Sequence, residues 1–347
     1  MVIAHRGASG YRPEHTLAAY DLAILQGADY VEPDLVITRD GVLVARHENA
    51  LAVIDDDGNV REATTNAHAL PQFAHRRTTK VVDGTRITGW FVEDFTAGEL
   101  KTLRARERIP RLRPGNAAYD DRFGIPTLRE IVDLARRRSR ELGRTIGVYP
   151  ELKHPGYFEG IGLPMEDALL ATLHASYGNT ATAPVFIQSF EASVLERLRP
   201  RTQLPLVQLI APDGRPPDFI VSGDRRTYAD LATPTGLSGI ATYANGVGVH
   251  KSLIIPRRPD GTLGTPTRLV QDAHAVGLVV HAWTFRAENH FLPVEYRRGA
   301  DPAAAGDAEG ELCAHLRAGI DGFFTNHPDR GVAIIGCRCS HETRVLD

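Results

Sequence analysis

Apolar residues along this chain fall into short runs that alternate with stretches of helical periodicity. Val2 to Ala4 is a short apolar run, closed by the polar, glycine-bearing segment from Arg6 to Pro13. A helix is predicted from Glu14 to Gln26, with Leu17, Tyr20, Leu22, Ala23 and Ile24 supplying its apolar positions. Tyr30 to Ile37 reads as a second strand. Side chains alternate along a strand with period two, so Glu32 and Asp34 are expected on one face. Gly41 marks a turn, and Val42 to Ala45 returns as an extended segment that delivers His47.

From Asn49 to about Pro126 the periodicity weakens, and this segment is expected to be a long insertion after the second strand. The pattern resumes with a helix at Leu128 to Leu142 and a strand at Thr145 to Leu152 that brings Glu151 and Lys153 to its end. Strand and helix then alternate. Strands are expected at 184–189, 204–209, 240–243, 278–283 and 322–325, with Gly246 to Val249 as the exit from the strand at 240–243. Helices are expected at 165–176, 192–198, 267–276 and 310–318. With no glycine-rich dinucleotide fingerprint, this alternation favours an α/β fold of the TIM (β/α)₈ barrel type over an open doubly wound sheet. Residues 1–336, insertion included, are expected to form one domain, with 337–347 as a tail. In such barrels the functional residues gather where strands end. His5, Glu32, Asp34, Glu151, Lys153, Gln188 and Trp283 all occupy such positions.

Composition narrows the classes. At 42% hydrophobic and 24% charged, the 347 residues suit a globular domain, and no apolar run reaches the ~20 residues of a spanning helix. A net charge of -3 offers no general attraction for polyanions, so nucleic acid is a poor partner and any phosphate affinity must be local. Stable membrane insertion is not expected either. The three cysteines, Cys313, Cys337 and Cys339, with His341 nearby make an incomplete zinc set.

The strand-end residues suggest a chemistry. Glu32, Asp34 and Glu151 could gather around one divalent cation, and all-oxygen ligation favours calcium or magnesium over zinc, with manganese compatible. His5 and His47 titrate in the range suited to an acid and a base. Arg6 and Lys153 would neutralise a phosphate. The same residues also fit plainer roles: ion pairs along a strand, core histidines, and an Arg6 salt bridge.

Three words in the sequence decide between these. Ala-His-Arg-Gly-Ala-Ser-Gly-Tyr-Arg-Pro-Glu-His-Thr from Ala4 to Thr16, Gly-Ala-Asp-Tyr-Val-Glu-Pro-Asp-Leu from Gly27 to Leu35, and Tyr-Pro-Glu-Leu-Lys from Tyr149 to Lys153 resemble the glycerophosphodiester phosphodiesterase family. The likeness is strongest to its bacterial secreted or periplasmic branch. It continues through Phe186–Phe190, Leu206–Ile210, Gly246–Gly248, Val280–Arg286 and Gly322–Asp329. It implies a TIM barrel that cleaves glycerophosphodiesters, such as glycerophosphocholine or glycerophosphoethanolamine, to sn-glycerol 3-phosphate and an alcohol. It also implies a cyclic phosphate formed by the substrate's own hydroxyl. By position, His5 and His47 become the acid–base pair and Glu32, Asp34 and Glu151 the ligands of calcium or magnesium. Arg6 and Lys153 become phosphate contacts, and Gln188, Phe190 and Trp283 the glycerol subsite. Glu14 and His15 read as residues that order the loop. The branch implies export, although the chain opens directly on a strand with no charged n-region before it. Two departures stand out: His281-Ala-Trp replaces a more aromatic stretch, and Asn326-His327 stands where the family often carries an acidic residue. The competing readings are a phospholipase D-like lipid phosphodiesterase of the same superfamily and a non-catalytic barrel that binds phosphorylated polyols.

Overall fold

The computed structural model describes residues 1–337. Its main sheet contains β1 (Val2–His5), β2 (Tyr30–Glu32), β3 (Asp34–Ile37) and β4 (Leu43–Ala45). Between β4 and the next barrel position lie β5 (Ala50–Ile54), β6 (Val60–Ala63), β7 (Thr78–Val82) and β8 (Thr85–Phe91). The main sheet resumes with β9 (Gly147–Val148), β10 (Glu151–Leu152), β11 (Ile187–Ser189), β12 (Leu206–Ile210), β13 (Gly246–His250), β14 (Val279–Phe285) and β15 (Gly322–Thr325). β2 and β3 are one strand interrupted at Pro33, and β9 and β10 are one strand interrupted at Tyr149-Pro150. Counted so, β1, β2–β3, β9–β10, β11, β12, β13, β14 and β15 make eight parallel positions that close on themselves. That closure is the TIM barrel expected from the alternation.

The two interruptions have a simple cause. Proline has no N–H to give to a ladder, but its carbonyl still accepts. Glu151 N donates to Pro33 O and Gln188 N to Pro150 O, both at 2.9 Å, so pairing continues past each break. Helices pack outside. Leu128–Leu142 is the clearest: Thr127 and Glu130 form a capping box, and Gly143 stops the helix at φ 64°. Inside the barrel, Ile3, Tyr149, Val207 and Phe324 form a separate buried cluster. His281 belongs to this floor, its Nδ1 meeting the Tyr149 hydroxyl at 2.8 Å.

Where periodicity weakens after β4, β5 to β8 form a four-stranded antiparallel sheet in the order β6-β5-β8-β7. Its strands are short and exposed on β6 and β7, which hides the alternation. The strand expected at 240–243 is absent. Pro234 opens a helix that runs to Ile240, and Tyr243 and Ala244 still donate to Ile240 O at 3.0 and 2.8 Å. The barrel strand is instead β13, where Gly246 and Gly248 face crowded neighbours. The tail, with Cys339 and His341, lies outside the described residues.

The loop after β1 is held by backbone geometry. Arg6 has φ 60° and Gly7 φ 83°, both in the left-handed region. A Cβ on Gly7 would lie 2.7 Å from the Ala19 carbonyl carbon. Gly7→Ala is therefore expected to lower stability by ~1–3 kcal/mol, through strain that the start of the helix Leu17–Leu25 cannot relieve. Urea unfolding checks this; an unchanged midpoint would contradict it.

Candidate active site

Strand register brings the expected residues together. His5 is level with Glu32 across β1 and β2. Asp34, Glu151 and Gln188 are level across β3, β10 and β11. One cavity of about 360 Å³ at the strand ends is lined by His5, Arg6, Glu32, His47, Glu151, Lys153, Gln188, Phe190 and Trp283. Asp34 sits just beneath this lining, 1% exposed. Phe190 and Trp283 meet edge to face with centroids 5.7 Å apart, forming one apolar wall.

Glu32, Asp34 and Glu151 each place a carboxylate oxygen within 4.8 Å of the others, and all three are buried. Burial and the neighbouring charges of Asp34 and Glu151 push Glu32 well above the usual carboxylate range. Burial pushes Glu151 up to about 8, with Lys153 opposing and Asp34 adding. Asp34 goes the other way: against the effect of burial, Lys153, Arg6 and the His15 hydrogen bond hold it well below its ordinary value. Three buried carboxylates with only two adjacent cations repel one another, and a hard divalent ion is the ligand that relieves this. The donor set fits such an ion.

Other charges hold this cluster in place. Asp34 accepts from His15 Nε2 at 2.9 Å and pairs with Arg6 Nε at 3.1 Å and Lys153 Nζ at 3.3 Å. Lys153 also lies 2.6 Å from Glu151. Glu32 accepts from the Arg6 backbone N–H at 2.8 Å. Arg6 pairs with Glu14 at 3.0 Å, and Glu14 in turn with Arg108 at 2.7 Å. Glu14 and His15 thus order the loop, as expected from the sequence.

The two histidines differ in what holds them. His47 Nδ1 is bonded to the Glu48 carboxylate, which accepts only, so Nδ1 carries the proton and Nε2 keeps a free lone pair. Arg108 fixes Glu48 at 2.8 Å and so connects this pair to Glu14. His5 Nδ1 faces Asn326. The amide oxygen of Asn326 is claimed by Arg113 at 2.8 Å and Ser9 at 3.1 Å, which turns its NH₂ toward Nδ1 at 2.9 Å. His5 therefore carries its ring proton on Nε2. Burial and the charge of Arg6 push both imidazoles down, His47 to about 3, so both are neutral near pH 7.

The arrangement is one acceptor imidazole, one donor imidazole, two cations and a triad of carboxylates around a single cavity. A model of the glycerophosphoryl diester phosphodiesterase family matches residues 5–330. The chain belongs to that family. With membership comes the enzyme class, a phosphodiester hydrolase. Glycerophosphodiester phosphodiesterase GDPD6 of Arabidopsis thaliana is 34% identical to it over 93% of this chain and 82% of the relative. The glycerophosphodiester phosphodiesterase of Haemophilus influenzae is 30% identical over 96% and 89%. Among solved structures, a putative glycerophosphoryl diester phosphodiesterase from Silicibacter pomeroyi superimposes with a TM-score of 0.65 at 22% identity, covering 96% of this chain and 92% of its own. An Oleispira antarctica phosphodiesterase in complex with the product sn-glycerol-3-phosphate gives 0.59 at 19% identity, covering 97% and 96%. These likenesses place the fold. Among the described residues no helix is long and apolar enough to cross a membrane.

Sequence reasoning missed several contributors. Glu48 was available beside His47, and only the direction of its side chain was hidden. Arg108 and Arg113 reach the site from distant segments, Asn326 was noted only as a departure and not as the partner of His5, and Thr284 and Arg286 complete the wall. Glu48→Gln is expected to lower kcat about 10- to 100-fold while leaving the unfolding midpoint near wild type, because the ring loses its orienting carboxylate. Unchanged kcat would remove Glu48 from this role.

Proposed function

We propose that the protein hydrolyses glycerophosphodiesters to glycerol 3-phosphate and an alcohol, with His47 as base and His5 as proton donor to the leaving oxygen. The observation that carries this is the opposite protonation of the two rings, set by Glu48 on one and by Asn326 on the other. Arg6 and Lys153 bind the nonbridging phosphate oxygens, and Gln188, Phe190 and Trp283 receive the glycerol. The negative phosphate offsets the cations that depress both imidazoles and so raises their proton affinity as substrate enters. His47 Nε2 then takes the proton of the glycerol hydroxyl that attacks phosphorus. With substrate bound, His5 takes a second proton on Nδ1, which the Asn326 amide accepts by turning its oxygen to the ring, and the imidazolium gives its Nε2 proton to the departing alcohol. Water opens the resulting cyclic phosphate with the two rings exchanging roles.

Glu32, Asp34 and Glu151 would hold calcium or magnesium. When bound, that ion supplies Lewis-acid stabilisation of charge on the phosphate and orients it. Residues 1–336 act here as one unit, since Arg108 and Arg113, from the segment between β4 and β9, hold Glu48 and Asn326.

The decisive assay offers glycerophosphocholine and lysophosphatidylcholine side by side and measures choline release from each, with glycerol 3-phosphate as the other product expected from the first. Turnover of the first supports the reading. Exclusive turnover of the lysolipid would replace it with a lipid phosphodiesterase.

A further inference from the structure

Beside the catalytic cavity lies a second one of about 300 Å³, over the ends of β13 and β14. The two share Thr284 and Arg286 as a common wall. His250 of the second cavity packs edge-on against Trp283 of the first, centroids 4.9 Å apart. The second cavity is basic: Lys251, Arg257, Arg286, His250, His290 and His315 surround a single carboxylate, Glu311.

That carboxylate is already matched. Lys251 Nζ lies 2.7 Å from Glu311, and both are buried. Arg257 stands 3.9 Å from the same oxygen, donates to the Phe291 carbonyl, and keeps 35% of its side chain exposed. Arg286 stacks on Phe291, 4.5 Å from the ring centroid, and forms no ion pair among the described residues. Burial and the like charges of Arg6 and Arg113 push it down to about 10, as expected of a guanidinium without a counter-anion. Two forks of donors thus point at one space contiguous with the site of cleavage, and planar forks suit phosphate oxygens. The acidic groove on the other flank, around Glu159, Glu191 and Asp218, shares no lining residue with the catalytic cavity.

We propose that the second cavity is an anion subsite that receives a phosphate carried by the leaving alcohol. The preferred substrates are then glycerophosphodiesters whose alcohol is itself phosphorylated. This rests on the diesterase reading, and the test separates the two. KM and kcat are measured for glycerophosphoglycerol and for its counterpart with a phosphate monoester on the leaving glycerol. Wild type is expected to show a KM about tenfold or more lower for the phosphorylated substrate. Arg257→Gln, remote from the reacting atoms, is expected to remove most of that advantage while glycerophosphoglycerol kinetics stay within about twofold. Arg286→Gln should weaken the phosphorylated substrate at least as much. Equal KM values in wild type, or an advantage that survives Arg257→Gln, overturn the subsite. No turnover of either diester by wild type overturns the diesterase reading, and the subsite claim with it.

Discussion

His47→Ala is expected to lower kcat on a glycerophosphodiester by roughly two to four powers of ten, the usual worth of a positioned acid or base. His5→Ala is expected to cost as much on a substrate with an alkoxide leaving group. The two variants should part when the leaving group changes. With 4-nitrophenol in place of the alcohol, departure needs little protonation, so His5→Ala should recover most of its rate while His47→Ala stays slow. The burst of 4-nitrophenolate reports this first step directly. Recovery of His47→Ala but not His5→Ala would reverse the assignment, and equal recovery would dissolve it. The contrast follows from Glu48 holding a proton on His47 Nδ1 while Asn326 leaves the His5 proton on Nε2.

Chelation is expected to abolish turnover, with calcium or magnesium restoring it. Buried carboxylates within 4.8 Å of one another also make a prediction that needs no assay. Metal should raise the unfolding midpoint, by RT ln(1 + [L]/Kd), or about 2.7 kcal/mol at a hundredfold excess over Kd. Glu151→Gln should need about tenfold or more metal for half-maximal activity and show a smaller midpoint rise. Without metal it should be no less stable than wild type, because it removes one member of a mutually repelling group. An unchanged metal titration would take Glu151 out of the ligand set.

Much of the barrel was legible because its elements are local. The Leu128–Leu142 helix announces itself through Thr127, Glu130 and Gly143, all within one turn of its ends. β15 and the Ala192–Leu198 helix fall where periodicity puts them. The misreading at 240–243 has an equally local origin: a run as short as Ile-Ala-Thr-Tyr fits the end of a helix as well as a strand. The sheet of β5 to β8 was hidden because its outer strands are half-exposed and alternate weakly, and because its central pair, β5 and β8, joins residues far apart in sequence.

By itself the sequence determined which polar residues meet at the mouth of the barrel. His5, Glu32, Asp34, Glu151 and Lys153 lie at strand ends, and a strand carries its side chains to one face at a fixed period, so their meeting at one mouth follows from the barrel. The roles proposed for them rest on contacts that only tertiary structure supplies. The proton on a histidine ring sits where its other nitrogen has a partner, and those partners are positioned by Arg108 and Arg113, residues far from either histidine in the chain. Arg286 was likewise only another arginine until the fold left it beside two cavities with no ion-pair partner among the described residues. Spacing along a chain governs neighbours within a turn or a strand. Protonation and unpaired charge depend on the groups that folding brings alongside.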